Sequence, residues 1–213
     1  MKKSSIWAIV FLVGLYITCQ LVADVGATKM VQVGRIVMPG GTFLFAVTFT
    51  LRDLIHKRLG ADWARVSIIA AACFNVLLSL YLAAIGALPA PVFYPLGKEW
   101  GTIFAIVPAI TLASIVAEVV SELIDTAVFQ FWWVKMGNWP QWTRVLVSNA
   151  VSLPVDSLVF GVLAFSVLPL VTGGATTPIQ GVLLLVQGQV LWKLAVTVLS
   201  LPAIYLVKEK PVL

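Results

Sequence analysis

The 213-residue chain is 61% hydrophobic and 11% charged, with a formal net charge of +5. Soluble domains carry about a quarter charged residues, so this composition excludes a soluble globular protein and makes the bilayer the solvent for most of the chain. Backbone groups must then be satisfied inside each span, and no ten-residue alternating pattern points to barrel strands; the expected class is all-α, a single polytopic domain over residues 1–213 with six transmembrane helices.

In chain order, Lys2 and Lys3 precede an apolar run from Ile6 to Ala23 that imitates a signal peptide. The run exceeds the roughly 7–15 residues of such a core, so it is expected to stay as the first span, Ser5 to Asp24. Span two is placed at Gly41 to Ile55 and ends in a polar cluster of Arg52, Asp53, His56, Lys57 and Arg58. Span three is Trp63 to Leu88, followed by the Pro-rich loop PAPVFYPLGKEW. The segment 101–134 would measure about 50 Å as one helix at about 1.5 Å per residue, against a hydrocarbon core near 30 Å. Pro108 resolves this by marking a helix start, with Trp132 and Trp133 as interface anchors at the other end. Spans five and six are Val145 to Val171 and Ile179 to Val207. Cys19 and Cys73 lie in apolar runs without a CxxC or His partner and read as small buried hydrophobes.

Six spans with a cytoplasmic N-terminus put ten Lys and Arg on or near the inner side, three outside (Lys29, Arg35, Lys98) and Lys193 within a span. This asymmetry predicts both termini cytoplasmic. The basic balance therefore reports topology and attraction to anionic lipid, and no basic stripe suggests a nucleic-acid partner.

Charges within the spans are the candidate functional residues, because each ionisable group at mid-membrane depth costs about 2.5–3.5 kcal/mol on insertion scales. Glu118, Glu122 and Asp125 fall on one face of the fourth span at helical spacing. Counted from the cytoplasmic cations at about 1.5 Å per residue, Asp156, Glu122 and Lys193 lie at about 18, 20 and 22 Å, in one layer. They are expected either to satisfy one another or to bind a polar solute jointly. For Asp156 and Lys193 the plainer reading is a structural ion pair pinning two helices, and the two roles are compatible. Pro154 precedes Asp156 by two residues and interrupts the helix next to it, as broken transporter helices do beside binding sites. Trp192, beside Lys193, either stacks on a planar ligand or packs in the core. The cluster after span two is either solvated or holds a gate made by Asp53. His56 is the single histidine, which argues against a metal centre. No catalytic constellation, phosphate loop or dinucleotide fingerprint is present, so no enzyme activity and no cofactor are expected.

Several segments, in order, resemble the queuosine precursor transporters of the vitamin uptake transporter group: GATKMV at 26–31, PGGTFLFAVTFTLRDLIHKRLGADWAR at 39–65, SELIDTAVF at 121–129, R-x-x-x-SN from Arg144 with VDSLVFGVLAF to Phe165, and LWKLAVTVLSLPAIY at 191–205. Lys29, Asp53, Gly60, Arg65, Glu122, Asp125, Arg144, Asp156, Lys193 and Pro202 occupy the family's recurrent polar or turn positions. The chain departs from the more widespread pattern at Lys57 and Leu59, where that pattern has an acid and an aromatic, and at Asp24, where it has an asparagine. Lys57 is similar to the proteobacterial branch of the family.

The resemblance implies a carrier of the bacterial inner membrane that imports 7-cyano-7-deazaguanine and 7-aminomethyl-7-deazaguanine, precursors of a modified tRNA nucleoside. Substrate contacts are then expected from Glu122, Asp156, Lys193, Trp192 and Asp125, and coupling or gating from Asp53, Glu118, Lys29 and Arg144. A guanine-like edge suits such a site, since a carboxylate can accept from adjacent N–H donors, a lysine can donate to the carbonyl and an aromatic can cover the ring face. The alternative is a substrate-capture subunit of an energy-coupling-factor importer, which would need a partner ATPase. The sequence leaves open a homo-oligomer.

Overall fold

The computed structural model describes residues 3–136 and 141–206. Its elements are α1 (Lys3–Gly26), the strands β1 (Met30–Val33) and β2 (Ile36–Pro39), α2 (Thr42–Leu59), α3 (Ala61–Ala87), α4 (Gly97–Phe104), α5 (Val107–Lys135), α6 (Gln141–Val162), a π-helical turn at Leu163–Val167, α7 (Leu168–Thr172) and α8 (Ile179–Leu206). Among the described residues, five helical stretches are long and apolar enough to cross a membrane: Ile9–Gly26, Asp62–Ala87, Gly97–Asp125, Leu146–Thr172 and Ile179–Ser200. The protein is thus an α-helical, multi-pass membrane protein. The remaining long helix, α2, has 18 residues, but its last turns carry Arg52, Asp53, Lys57 and Arg58. Instead of forming an apolar cylinder it packs against α1, α3 and α8.

Distribution of side chains follows the solvent. Trp7, Phe11, Leu80 and Leu199 are exposed, as lipid-facing residues must be, whereas many polar residues within the helices, among them Gln20, Asp24, Asn75, Asp156, Gln189 and Lys193, are turned inward. On α3 the buried positions Ala64, Ser67, Ala71, Asn75 and Ser79 recur at three- or four-residue steps and form one stripe. On α5 the stripe is Val107, Ile110, Thr111, Ser114, Ala117 and Ser121, and it meets α6. Small residues let helix backbones approach closely where apolar side chains gain nothing over lipid.

Pro108 lies in the first turn of α5, where its missing N–H costs no hydrogen bond. The long fourth segment is accordingly split, with the short α4 set before the spanning helix. An unforeseen feature is a two-stranded antiparallel hairpin, Met30–Val33 against Ile36–Pro39, which qualifies the expected all-α class. Its two-residue turn needs the positive φ of Gly34 (62°), which glycine adopts without steric cost.

Backbone-to-backbone contacts hold the hairpin on the helices. A Cβ added at Gly41 would stand 2.0 Å from the Ala23 carbonyl oxygen, and one at Gly188 would stand 2.1 Å from that of Val37. Neither neighbour can rotate away, since both are main-chain atoms. Gly41→Ala and Gly188→Ala should each destabilise the fold by about 1–3 kcal/mol, the usual range for overpacking. Gly14→Ala, inside α1 where nothing lies within 4 Å, should leave stability unchanged or raise it slightly. Thermal unfolding in detergent measures all three, and an unchanged midpoint in the first two would contradict the close approach.

Candidate functional site

Lys193 reaches across from α8 to α6. Its Nζ donates to Asp156 Oδ2 at 2.6 Å and to Ser157 Oγ at 3.1 Å, and sits 5.0 Å from the centroid of the Phe45 ring. Both charged side chains are buried, at 2% and 1% exposure. The other Asp156 oxygen, Oδ1, lies 3.2 Å from Ser121 Oγ on α5. Three helices therefore meet at one carboxylate, with each oxygen satisfied; a buried pair requires this to offset its desolvation.

The pair forms part of the wall of a cavity. Asp24 and Ala23 of α1, Pro39 of β2, Gly41, Thr42 and Phe45 around the start of α2, Ser114 and Ala117 of α5, Asp156 and Phe160 of α6, and Gln189 and Lys193 of α8 complete the lining, with Ala27. The space between these atoms, counted to its open mouth, is about 340 Å³, but its enclosed part has room for roughly one water, so the helices are drawn in around the chamber. Its character is mixed: an ion pair, an acid and an amide on one hand, phenyl rings and small residues on the other, as expected of a small-molecule site.

A second polar cluster lies on the side of the cavity away from the hairpin. Arg52 of α2 forms an ion pair with Glu122 of α5, and its guanidinium is 3.7 Å from Asp53. Glu118 Oε1 accepts from the Tyr16 hydroxyl at 3.1 Å and from Gln20 Nε2 at 3.3 Å, both on α1. Asp125 Oδ1 accepts from Ser152 Oγ at 3.2 Å. Ser121 joins the two clusters, because its hydroxyl lies 3.1 Å from the Glu118 carbonyl oxygen and 3.2 Å from Asp156 Oδ1 and can donate to one at a time.

The structure thus brings together Asp156 and Lys193, and separates Glu122 from them. The equal-depth layer holds for the first two, while Glu122 points to Arg52. Trp192 stands beside Lys193 in the chain but faces Phe43, edge to face at 4.9 Å, and does not line the cavity. Lys29 is exposed at the base of the hairpin, its carbonyl accepting from Gly40 N–H at 2.7 Å. The side chain of Arg144 lies outside the described residues. Sequence reasoning missed Asp24, Gln189 and Phe45 as cavity residues. Gln189 carried a signal, since it precedes Lys193 by four residues and so shares its helical face. Asp24 sat at the end of an apolar run and read as a boundary; it is buried because α1 continues to Gly26 and the hairpin closes over its end.

Residues 39–207 match the family described as "Putative vitamin uptake transporter". The chain belongs to this family of membrane transporters. No curated protein and no solved structure matches it.

Removing one member of a buried ion pair leaves the other charge uncompensated, at a cost of about 3–5 kcal/mol. Lys193→Met should therefore lower stability strongly, and adding Asp156→Leu should recover more than half of the loss. A double-mutant cycle on thermal or denaturant unfolding tests this, and simple additivity of the two losses would show that the charges do not depend on each other.

Proposed function

We propose that this member of the vitamin uptake transporter family imports queuosine precursors, 7-cyano-7-deazaguanine and 7-aminomethyl-7-deazaguanine, across a bacterial inner membrane. The observation that carries the reading is the cavity walled by Asp156, Lys193 and Phe45 inside a helical bundle whose outer faces are apolar. A carrier needs a polar chamber shielded from lipid, and a flat heterocycle with hydrogen-bonding edges matches one that offers fixed charge beside an aromatic ring. The sequence resemblance supplies the identity of the heterocycle.

In this reading all six long helices cross the bilayer, α2 as the sixth, with both termini in the cytoplasm, a placement that the distribution of Lys and Arg supports. The hairpin then lies at the outer face and the Arg52 cluster toward the inner one. Transport proceeds by alternating exposure of the chamber. Outward opening moves the hairpin from its seat on α1 and α8, and inward opening separates Arg52 on α2 from Glu122 on α5. Glu122, Asp125, Glu118 and Asp53 act in the inner barrier, Asp156 and Lys193 contact the solute, and Trp192 braces α8 against Phe43. Arg144 and Lys29 belong to the inner and outer mouths. The chamber must widen to admit a bicyclic base, because its enclosed part holds roughly one water.

Purified protein in liposomes should take up radiolabelled 7-cyano-7-deazaguanine saturably and without an added ATPase, with unlabelled 7-aminomethyl-7-deazaguanine competing and adenine not. Uptake no faster than through empty liposomes would refute the proposal.

A further inference from the structure

Two of the residues lining the cavity carry hydrogen-bonding atoms that nothing in the protein satisfies. The hydroxyls of Thr111 and Ser114 face the Asp24 carboxyl group, yet Asp24 Oδ2 and Gln189 Nε2 are buried without a hydrogen bond, in residues 3% and 2% exposed. They come from different helices, α1 and α8, and meet the same chamber. Buried polar atoms are almost always paired, and an orphan in a native structure calls for an explanation. The other orphaned atoms among the described residues belong to Asn75, Trp100, Thr111 and Trp192, none of which lines this cavity. The two in the chamber wall, unlike the rest, have a natural partner in whatever occupies the chamber.

Their chemistry defines that partner. A carboxylate oxygen only accepts, and an amide nitrogen only donates. Between them they complement a solute edge that presents an N–H donor next to a carbonyl acceptor, the edge of a cyclic lactam. Lys193 gives two of its three N–H donors to Asp156 and Ser157, whereas the amide nitrogen of Gln189 is buried in the wall with no acceptor at all. Phe45 lines the same space and can cover a ring face. We infer that Asp24 and Gln189 are the specificity-determining residues of the site: Asp24 accepts from the amino and ring N–H edge of the solute, and Gln189 donates to its carbonyl. This rests on the transport reading above and adds to it which side chains distinguish a 2-amino-6-oxo base from its relatives. Asp156 and Lys193 then supply the fixed field of the floor rather than the selectivity.

The test compares uptake into proteoliposomes of three solutes: 7-cyano-7-deazaguanine, the same base with hydrogen for its 2-amino group, and the same base with hydrogen for its 6-oxo group. Wild-type protein should prefer the first over either analogue by tenfold or more, as sites built to hydrogen-bond a group reject solutes that lack it. In Asp24→Ala the preference for the 2-amino group should fall to about onefold while that for the 6-oxo group persists, and in Gln189→Ala the pattern should reverse. Each variant retains one discrimination, so general damage cannot imitate the result. Should Asp24→Ala fail to fold, the isosteric Asp24→Asn, which keeps one acceptor, should lower the 2-amino preference without abolishing it. Unchanged preference ratios in the variants would overturn the inference and mean that the two side chains satisfy one another. Absence of uptake of all three solutes by the wild type would instead strike the transport reading itself, and a wild type that carries all three equally would overturn the specificity assignment alone.

Discussion

Lys193 and Asp156 share a hydrogen bond deep in the bundle, almost wholly buried against the wall of the chamber, and the interior is arranged to house it. An ammonium and a carboxylate are tolerated there only if their remaining hydrogen-bonding capacity is met. Ser157 meets part of the lysine's and Ser121 part of the aspartate's, which explains why small polar residues occur on the facing surfaces of α5 and α6. Those same small residues bring the two helices close. Polar satisfaction and close packing are therefore one solution, reached with Ser and Ala where a soluble protein would use Leu and Ile.

Above and below this pair the bundle differs in kind. Toward the hairpin, α1, α2 and α8 enclose a narrow chamber whose wall contains unpaired polar atoms. Away from it, the acids of α5 are engaged by Arg52, Tyr16, Gln20 and Ser152, and the helices are cross-linked. Ser121 is the sole residue described here with its hydroxyl in reach of both levels, and it can donate to only one acceptor at a time. The same hydroxyl therefore serves either Asp156 or the carbonyl of Glu118.

How much of this was legible in the sequence varied with the range of the interaction. Helix positions followed from apolar runs: α3 was expected at Trp63 to Leu88 and spans Ala61–Ala87, and Pro108 marked the start of α5 because its effect on the backbone is local. The meeting of Asp156 with Lys193 was foreseeable from equal depth alone, because two charges at one level of a bundle have few other partners. Depth carries no information on azimuth, however, and Glu122, at the same level, turned to Arg52. The hairpin went unread since MVQV and IVMP are too short to show a period, and the acid at Asp24 looked like the end of a helix until an element distant in the chain covered it.

The carbonyl of Val37 rests against the glycine that immediately precedes Gln189. Main-chain atoms in such contact neither stretch nor repack; they stay seated or come apart. In the transport cycle proposed above, lifting the hairpin would free the backbone of α8 at the position next to a chamber residue, so the displacement that uncovers the entrance would also slacken the wall behind it. A doorway and a grip that share one hinge cannot be tuned separately, and a substitution that eases entry at this point should also alter how firmly cargo is held.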